Sequence, residues 1–261
     1  MKRLASSELK AYFKDPNIVT SWWKPEEGSY KFWHEQEFKI LDKYLKTEPS
    51  WLVLDAACGQ GRFARYYAKK GCRVHALDIN PQMLNIARER AQAEGVIDRV
   101  EFFEDDVETF SKNNIEYDIV TCMDAIDHMD DLTQAIKNLV KPLKKDGKFI
   151  LTYTSTESIY GVLRDIYTIF AYRKRDKEVD IGKAYTFIEI KEALEQAGIL
   201  IEHIFGIGLL MAPQERVRFP LFFNKMFEGL SRLDIAMKPY HANNWLASHC
   251  SGVMIIGKRR P

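Results

Sequence analysis

Apolar runs alternating with helix-forming stretches predict an α/β fold on a doubly wound sheet, and three observations carry that reading. The first is the stretch Trp51 to Ala64, where an apolar run reaches Asp55 and gives way to Gly59-Gln60-Gly61 and then to helix formers. It reads as a buried strand, a tight turn and a helix start. The second is the recurrence of apolar runs at Cys72–Asp78, Arg99–Phe103, Tyr117–Met123 and Asp146–Thr154, with helical patterns between most of them. The third is a last apolar run, Gly252–Gly257, which follows a long excursion. A strand reached that way suits an antiparallel edge.

The chain has 261 residues, 46% hydrophobic and 29% charged, which suits one elaborated globular domain or one with a small cap. A net charge of +1 provides no general basic field for nucleic acid. Cys58, Cys72, Cys122 and Cys250 are scattered and form no Cys-x-x-Cys pair, so buried free thiols are expected rather than a zinc site or a disulfide framework. Met1 to Lys14 lacks the apolar centre of a signal peptide, and no run reaches the ~20 apolar residues of a membrane span, so a cytoplasmic protein is expected.

In chain order, residues 1–28 read as irregular or weakly helical, with Trp22-Trp23-Lys24-Pro25 either stapled to the core or forming a lid. Ser29 to Lys46 reads as a helix from the spacing of Trp33, Phe38, Leu41 and Leu45, and His34 near its start reads as a polar surface residue. Gln60 to Lys70 is the first crossover helix, stopped by Gly71. Asn80 and Pro81 suit the cap and first position of a second, with Met83, Leu84, Ile86 and Ala87 on its apolar face. The third strand leads to Asp105-Asp106-Val107.

The fourth strand leads to the densest ionisable cluster. Asp124, Asp127, His128 and Asp131 fall at i, i+3, i+4 and i+7, which shares one face if the segment is helical. Three readings compete there: a solvated helix start, a metal site, or His128 as a base oriented by a neighbouring Asp. Ala135–Leu143 continues as helix. Ser158–Tyr172 has an aromatic-rich amphipathic pattern, and the basic run Arg173–Lys177 reads as a solvated loop. Thr186-Phe187-Ile188-Glu189 is a capping-box signature, opening a helix that ends at Gly198 and precedes the strand Ile199–Phe205. Arg216–Tyr240 mixes aromatic and basic residues, which suits a lid helix or, as the competing reading, contact with a membrane surface.

Asp55 and Asp78 each end an apolar strand beside a turn. A buried carboxylate is costly unless it is hydrogen-bonded. A ligand with an ammonium or ribose hydroxyls would meet that need. Gly59-x-Gly61-x-x-Ala64, with Asp78 nineteen positions after Gly59, also fits a dinucleotide fingerprint, so the glycines leave the cofactor open. Asp55 weighs against a dinucleotide, whose pattern usually has an apolar residue there.

Asp55-x-x-Cys58-Gly59-x-Gly61 resembles motif I of the class I S-adenosylmethionine (SAM) dependent methyltransferases, and the likeness runs from roughly Trp51 to Thr154. It implies a Rossmann-like, seven-stranded sheet with an antiparallel last strand and helical cap insertions. It also implies a cofactor site made of Asp55, Ala57, Gly59, Gly61 and Met123 with the second-motif residues Asp78, Ile79 and Met83. Asp106 then matches the acid beside the adenine amino group, with Val107 next to it, and Asp127-His128 matches the acid–His pair of many small-molecule methyltransferases. The expected organisation is a lid over 1–50, a SAM-binding core over 51–154, and completion of the sheet over 155–261 with acceptor-cap insertions at 155–185 and 207–249.

The expected activity is methyl transfer to a small, apolar or aromatic acceptor at oxygen, with no metal and no nucleic-acid partner, by a monomer or homodimer. An NAD-dependent oxidoreductase and a non-catalytic SAM-binding protein are the alternatives.

Overall fold

The computed structural model describes residues 6–16, 28–111, 115–158, 183–209, 233 and 242–260. Trp22-Trp23, the helix expected over 158–172 (Ser158 apart), the basic run after it and the 216–240 segment (Leu233 apart) lie outside those residues.

Seven strands form one sheet: β1 (Leu52–Ala56), β2 (Arg73–Asp78), β3 (Val100–Glu104), β4 (Tyr117–Cys122), β5 (Leu143–Thr154), β6 (Ile199–Ile207) and β7 (Gly252–Arg259). Their order is β3-β2-β1-β4-β5-β7-β6. β1 to β5 pair in parallel, and β7 lies antiparallel between β5 and β6. The order reverses between β1 and β4, which opens a crevice at their carboxyl ends.

The described helices are α1 (Ser6–Lys14), α2 (Gly28–Tyr44), α3 (Arg62–Lys69), α4 (Pro81–Ala93), α5 (Leu132–Val140) and α6 (Phe187–Gln196). Neighbouring strand residues feed opposite cores, as the period of two requires. Val53, Val74, Ile119, Ile150 and Met254 join Ile40 and Leu41 of α2 and Phe63 and Tyr67 of α3. Leu54, Leu77, Val120, Leu151 and Ile255 join Ile136 and Leu139 of α5 and Ile190 and Leu194 of α6. Burial on both faces explains why these strands read as continuous apolar runs.

Local chemistry sets the helix ends. The Asn80 side chain accepts from the N–H groups of Gln82 (2.8 Å) and Met83 (3.4 Å). Thr186 and Glu189 form the reciprocal capping box. Gly71 and Gly198, at φ 90° and 80°, follow the ends of α3 and α6, where a left-handed residue costs a glycine least.

Two expectations change. β7, which the long excursion suggested for an edge, lies inside the sheet because β6 pairs with its outer side. Residues 124–131 do not form one helical face: Asp124 is left-handed (φ 55°), a 3-10 turn covers Ile126–His128, and Asp131 caps α5 by accepting from the Gln134 N–H at 2.9 Å. The short side chain of Asp favours such a cap over a helix interior.

β7 crosses under α2 at a tight point. A Cβ on Gly252 would stand 1.9 Å from Cζ2 of Trp33, a buried side chain. Gly252→Ala should therefore cost about 1–3 kcal/mol through overpacking, read as a lower melting temperature. An unchanged melt would mean that the indole does not rest there.

Candidate active site

The crevice begins at the end of β1. The Asp55 side chain is buried (2% exposed) and accepts from the Ala64 backbone, yet its Oδ2 has no hydrogen-bond partner among the described residues. Burial pushes its pKa up to about 7 despite the pull of that backbone N–H and of Arg62. The chain then turns left-handed at Ala57 (φ 55°), Gly59 (φ 53°) and Gly61 (φ 70°).

The two glycines have different tasks. A Cβ on Gly59 would face open space, whereas one on Gly61 would meet Ala87 Cβ of α4 at 2.9 Å. Gly59 thus keeps the mouth of the turn open, and Gly61 lets the turn pack against α4. The Gly59 N–H donates to Asp78 Oδ2 at 2.7 Å, and the Asn80 N–H donates to Oδ1 at 2.9 Å. Asp78 therefore ties the turn to the start of α4. Burial raises its pKa, while the N–H groups of Asn80, Gly59 and Ile79 act the other way. Each carboxylate oxygen has two lone pairs, so capacity for ligand hydroxyls remains.

Beyond β2 and β3 lies a cavity of about 400 Å³ lined by Ile79, Glu104, Asp105 and Asp106, with Ser7, Lys10, Ala11 and Lys14 of α1 as its other wall. Lys10 Nζ pairs with Asp106 Oδ2 at 2.7 Å and with Glu108 Oε2 at 3.1 Å, and Asn80 Nδ2 donates to the Phe13 carbonyl. These contacts seat α1 over the cavity. Val107 belongs to the same core as Leu77 and Phe110, and Met83 is half-buried on α4.

At the end of β4, Met123 is buried on the side of α2 and α3. The Asp124 N–H donates to Thr152 Oγ1 at 2.6 Å, which holds the left-handed residue in place. Arg62 bridges two carboxylates, with Nη1 2.6 Å from Glu37 Oε2 and Nη2 2.8 Å from Asp124 Oδ2. His34 Nε2 is 3.8 Å from the same Asp124 oxygen.

His34 is thus 4% exposed rather than on the surface, and Glu37 is fully buried with Oε1 lacking a hydrogen-bond partner among the described residues. Burial outweighs the attraction of Arg62 and pushes the Glu37 carboxyl up to about 8, with Asp124 adding repulsion. Atoms of His34, Glu37 and Asp124 lie within 4.8 Å of one another, a spacing that a metal ion could bridge. The cation that links Glu37 to Asp124 is instead the Arg62 guanidinium. A signal for this group existed in the sequence: Glu37 lies on the same stripe as Trp33, Ile40 and Leu41, so helical spacing points it inward.

The turn after β4 carries the remaining pair. The Asp127 carboxylate accepts from the Thr154 N–H (3.0 Å) and from the Thr154 hydroxyl, clasping the turn to the end of β5. The half-buried His128 ring lies 4.6 Å from the Phe13 ring, tilted at 51°. The crevice therefore gathers Asp55, Ala57, Gly59, Asp78, Asp124, Asp127 and His128 at strand ends, with Ile79 and Asp106 in the adjoining cavity.

A family model described as a methyltransferase domain matches residues 53–147, which span β1 to β5 with the glycine turn and the Asp78 and His128 segments. The chain belongs to the class I SAM-dependent methyltransferases. Its cofactor is SAM.

Among curated relatives of this methyltransferase, the ubiquinone biosynthesis O-methyltransferase of Actinobacillus pleuropneumoniae serotype 7 (strain AP76) is 29% identical over 170 residues, covering 61% of this chain and 70% of that one. The protein of the same description from Rickettsia canadensis (strain McKiel) is 25% identical over 222 residues, covering 81% and 92%. Among solved structures, magnesium protoporphyrin IX methyltransferase from Synechocystis PCC 6803, with S-adenosylhomocysteine (SAH) bound, superposes with a TM-score of 0.64 at 16% identity over 98% of this chain and all of that one, a likeness of fold. The antiparallel β7 is the strand arrangement expected of a methyltransferase. Among the described residues no helix is long and apolar enough to cross a membrane.

The crevice suits a cationic nucleoside. Asp55 Oδ2 and Glu37 Oε1 are buried carboxylate oxygens without donors among the described residues, and the open side of Gly59 leaves room for a ligand.

Proposed function

We propose that this methyltransferase moves the methyl group of SAM to an oxygen of a small, apolar or aromatic acceptor. The observation that carries the oxygen reading is His128, an imidazole at the carboxyl end of β4 with an aromatic ring, Phe13, against it. A hydroxyl acceptor must lose its proton during transfer, and a neutral imidazole can take it. Two curated relatives are named as O-methyltransferases, which supports the same choice.

When bound, SAM supplies a methyl activated by a positive sulfonium. The chain's own groups hold and orient. Asp55, Ala57, Gly59, Gly61 and Met123 bound the methionine side, Asp78 accepts from the ribose hydroxyls, and Ile79, Met83, Asp106 and Val107 bound the adenine. Asp127, clasped to Thr154, is a positioning residue for the turn that presents His128. Much of the rate would come from holding acceptor and methyl in line. The aromatic segments within 155–185 and 207–249, read from the sequence, supply the acceptor side.

Titration calorimetry tests the cofactor half of this reading: SAM and SAH should bind, and NAD should not. Binding of NAD without SAM would overturn it. Incubation with labelled SAM and matched phenol and aniline acceptors tests the other half, with label expected on the phenol oxygen. Label on the aniline nitrogen alone would replace the oxygen reading.

A further inference from the structure

We propose that Glu37 and Asp55 form a proton-linked receptor for the positive charge of the cofactor, so that SAM binding expels protons that SAH binding leaves in place. The inference rests on the cofactor seat at the ends of β1 and β4 described above. It adds a residue from α2, Glu37, to that seat.

The geometry carries it. Two carboxylates, Glu37 and Asp124, pair with one guanidinium, Arg62, whose charge also acts on Asp55. The next arginine, Arg65, is engaged by Glu94 (2.9 Å) and the Gln60 carbonyl (2.6 Å). One oxygen on Glu37 and one on Asp55 are enclosed without a hydrogen-bond donor among the described residues. Such an oxygen is tolerable when its carboxyl is protonated, or when a cation arrives to compensate its charge.

The groups facing each carboxyl pull both ways, arginine against carboxylate, and leave burial to decide. Glu37 meets Arg62 of α3 and Asp124 beyond β4, and an atom of His34 on its own helix lies within 4.8 Å. The charges of Arg62 and Arg65 of α3 and of Asp78 of β2 act on Asp55, whose own charge acts on Cys58 of the turn, Cys122 of β4 and Tyr67 of α3. Burial is the largest influence on both carboxyls and raises both, to about 8 for Glu37 and about 7 for Asp55. Below those values the free site holds its protons. SAM carries an ammonium, a carboxylate and a sulfonium, for a net charge of about +1. SAH has lost the sulfonium charge and is neutral overall. A cation in a low-dielectric crevice favours the ionised carboxylates. SAM should therefore lower the carboxyl pKa values and release protons, and its affinity should rise with pH through the range about 6 to 8. SAH should show much less of both.

The test is calorimetry on the full chain at pH 6.5 in buffers of different ionisation enthalpy. At that pH, below the roughly 7.7–8.0 of α-amino groups, the ligands' own ammonium groups contribute little. The dependence of the observed heat on buffer enthalpy gives the protons released. SAM should release about one proton more than SAH. Glu37→Gln and Asp55→Asn should each remove part of that difference, with melting curves reporting their folding. The wild-type comparison needs no variant and decides the matter. Equal proton release with SAM and SAH overturns the proposal while leaving methyl transfer intact. Failure of SAM to bind at all would overturn the cofactor seat itself.

Discussion

His128→Ala should slow methyl transfer by roughly 10²–10⁴-fold with SAM affinity nearly unchanged. The ring stands on a turn held by other atoms: the Asp127 carboxylate grips Thr154, Ile126 is fully buried, and the His128 N–H donates to the Ala125 carbonyl at 2.9 Å. Truncating the imidazole leaves all three in place, so the turn should keep its shape. His128→Gln keeps hydrogen-bonding capacity but not basicity, and it should not restore the rate. Single-turnover kinetics with labelled SAM gives the chemical step, and calorimetry gives the affinity. The Phe13 ring supplies the competing explanation, because α1 also walls the cavity beside Ile79. If the alanine variant loses SAM affinity and melts earlier while its bound fraction turns over normally, His128 is a prop for α1 and transfer runs on proximity alone.

What the sequence disclosed and what it hid follow from the range of the interactions. The strands were legible because both sheet faces are buried, and the helix ends because their caps are local: Asn80 acts within three residues, and so does the Thr186–Glu189 box. Asp55, Gly59 and Asp78 could be placed at the crevice because each ends a run or opens a turn. The 124–131 spacing misled because i, i+3, i+4 puts residues on one face only where the backbone is helical. Here the tie from Asp124 to Thr152 and the cap at Asp131 break the helix. His34 and the partners of Glu37 were hidden for a different reason. The expectation that charged groups face water is sound until a partner arrives, and Arg62 is 25 residues from Glu37 and 62 from Asp124. No local pattern couples positions that far apart. The Lys10 bridge to Asp106 escaped for the same reason.

Asp78→Ala should weaken SAM binding at least tenfold, or about 1.4 kcal/mol. The carboxylate has two kinds of partner. In the protein it accepts from the N–H groups of Gly59 and Asn80. In the proposed complex its free lone pairs accept from the ribose hydroxyls. A hydrogen bond to a charged group contributes roughly 1.5–3 kcal/mol, and water can replace part of what is lost, which gives the tenfold floor. The variant also frees the Gly59 turn from the start of α4, so its melting temperature should fall, and affinity alone would confound the two roles. Asp78→Asn separates them. The amide oxygen can still accept from one backbone N–H while its NH₂ opposes the other, so the turn is partly kept and the negative charge at the ribose is gone. If Asp78 holds the ribose, the asparagine variant should lose most of the SAM affinity with a smaller drop in melting temperature than alanine causes. If both variants bind SAM as the wild type does while melting earlier, Asp78 only braces the turn, and the ribose is held elsewhere.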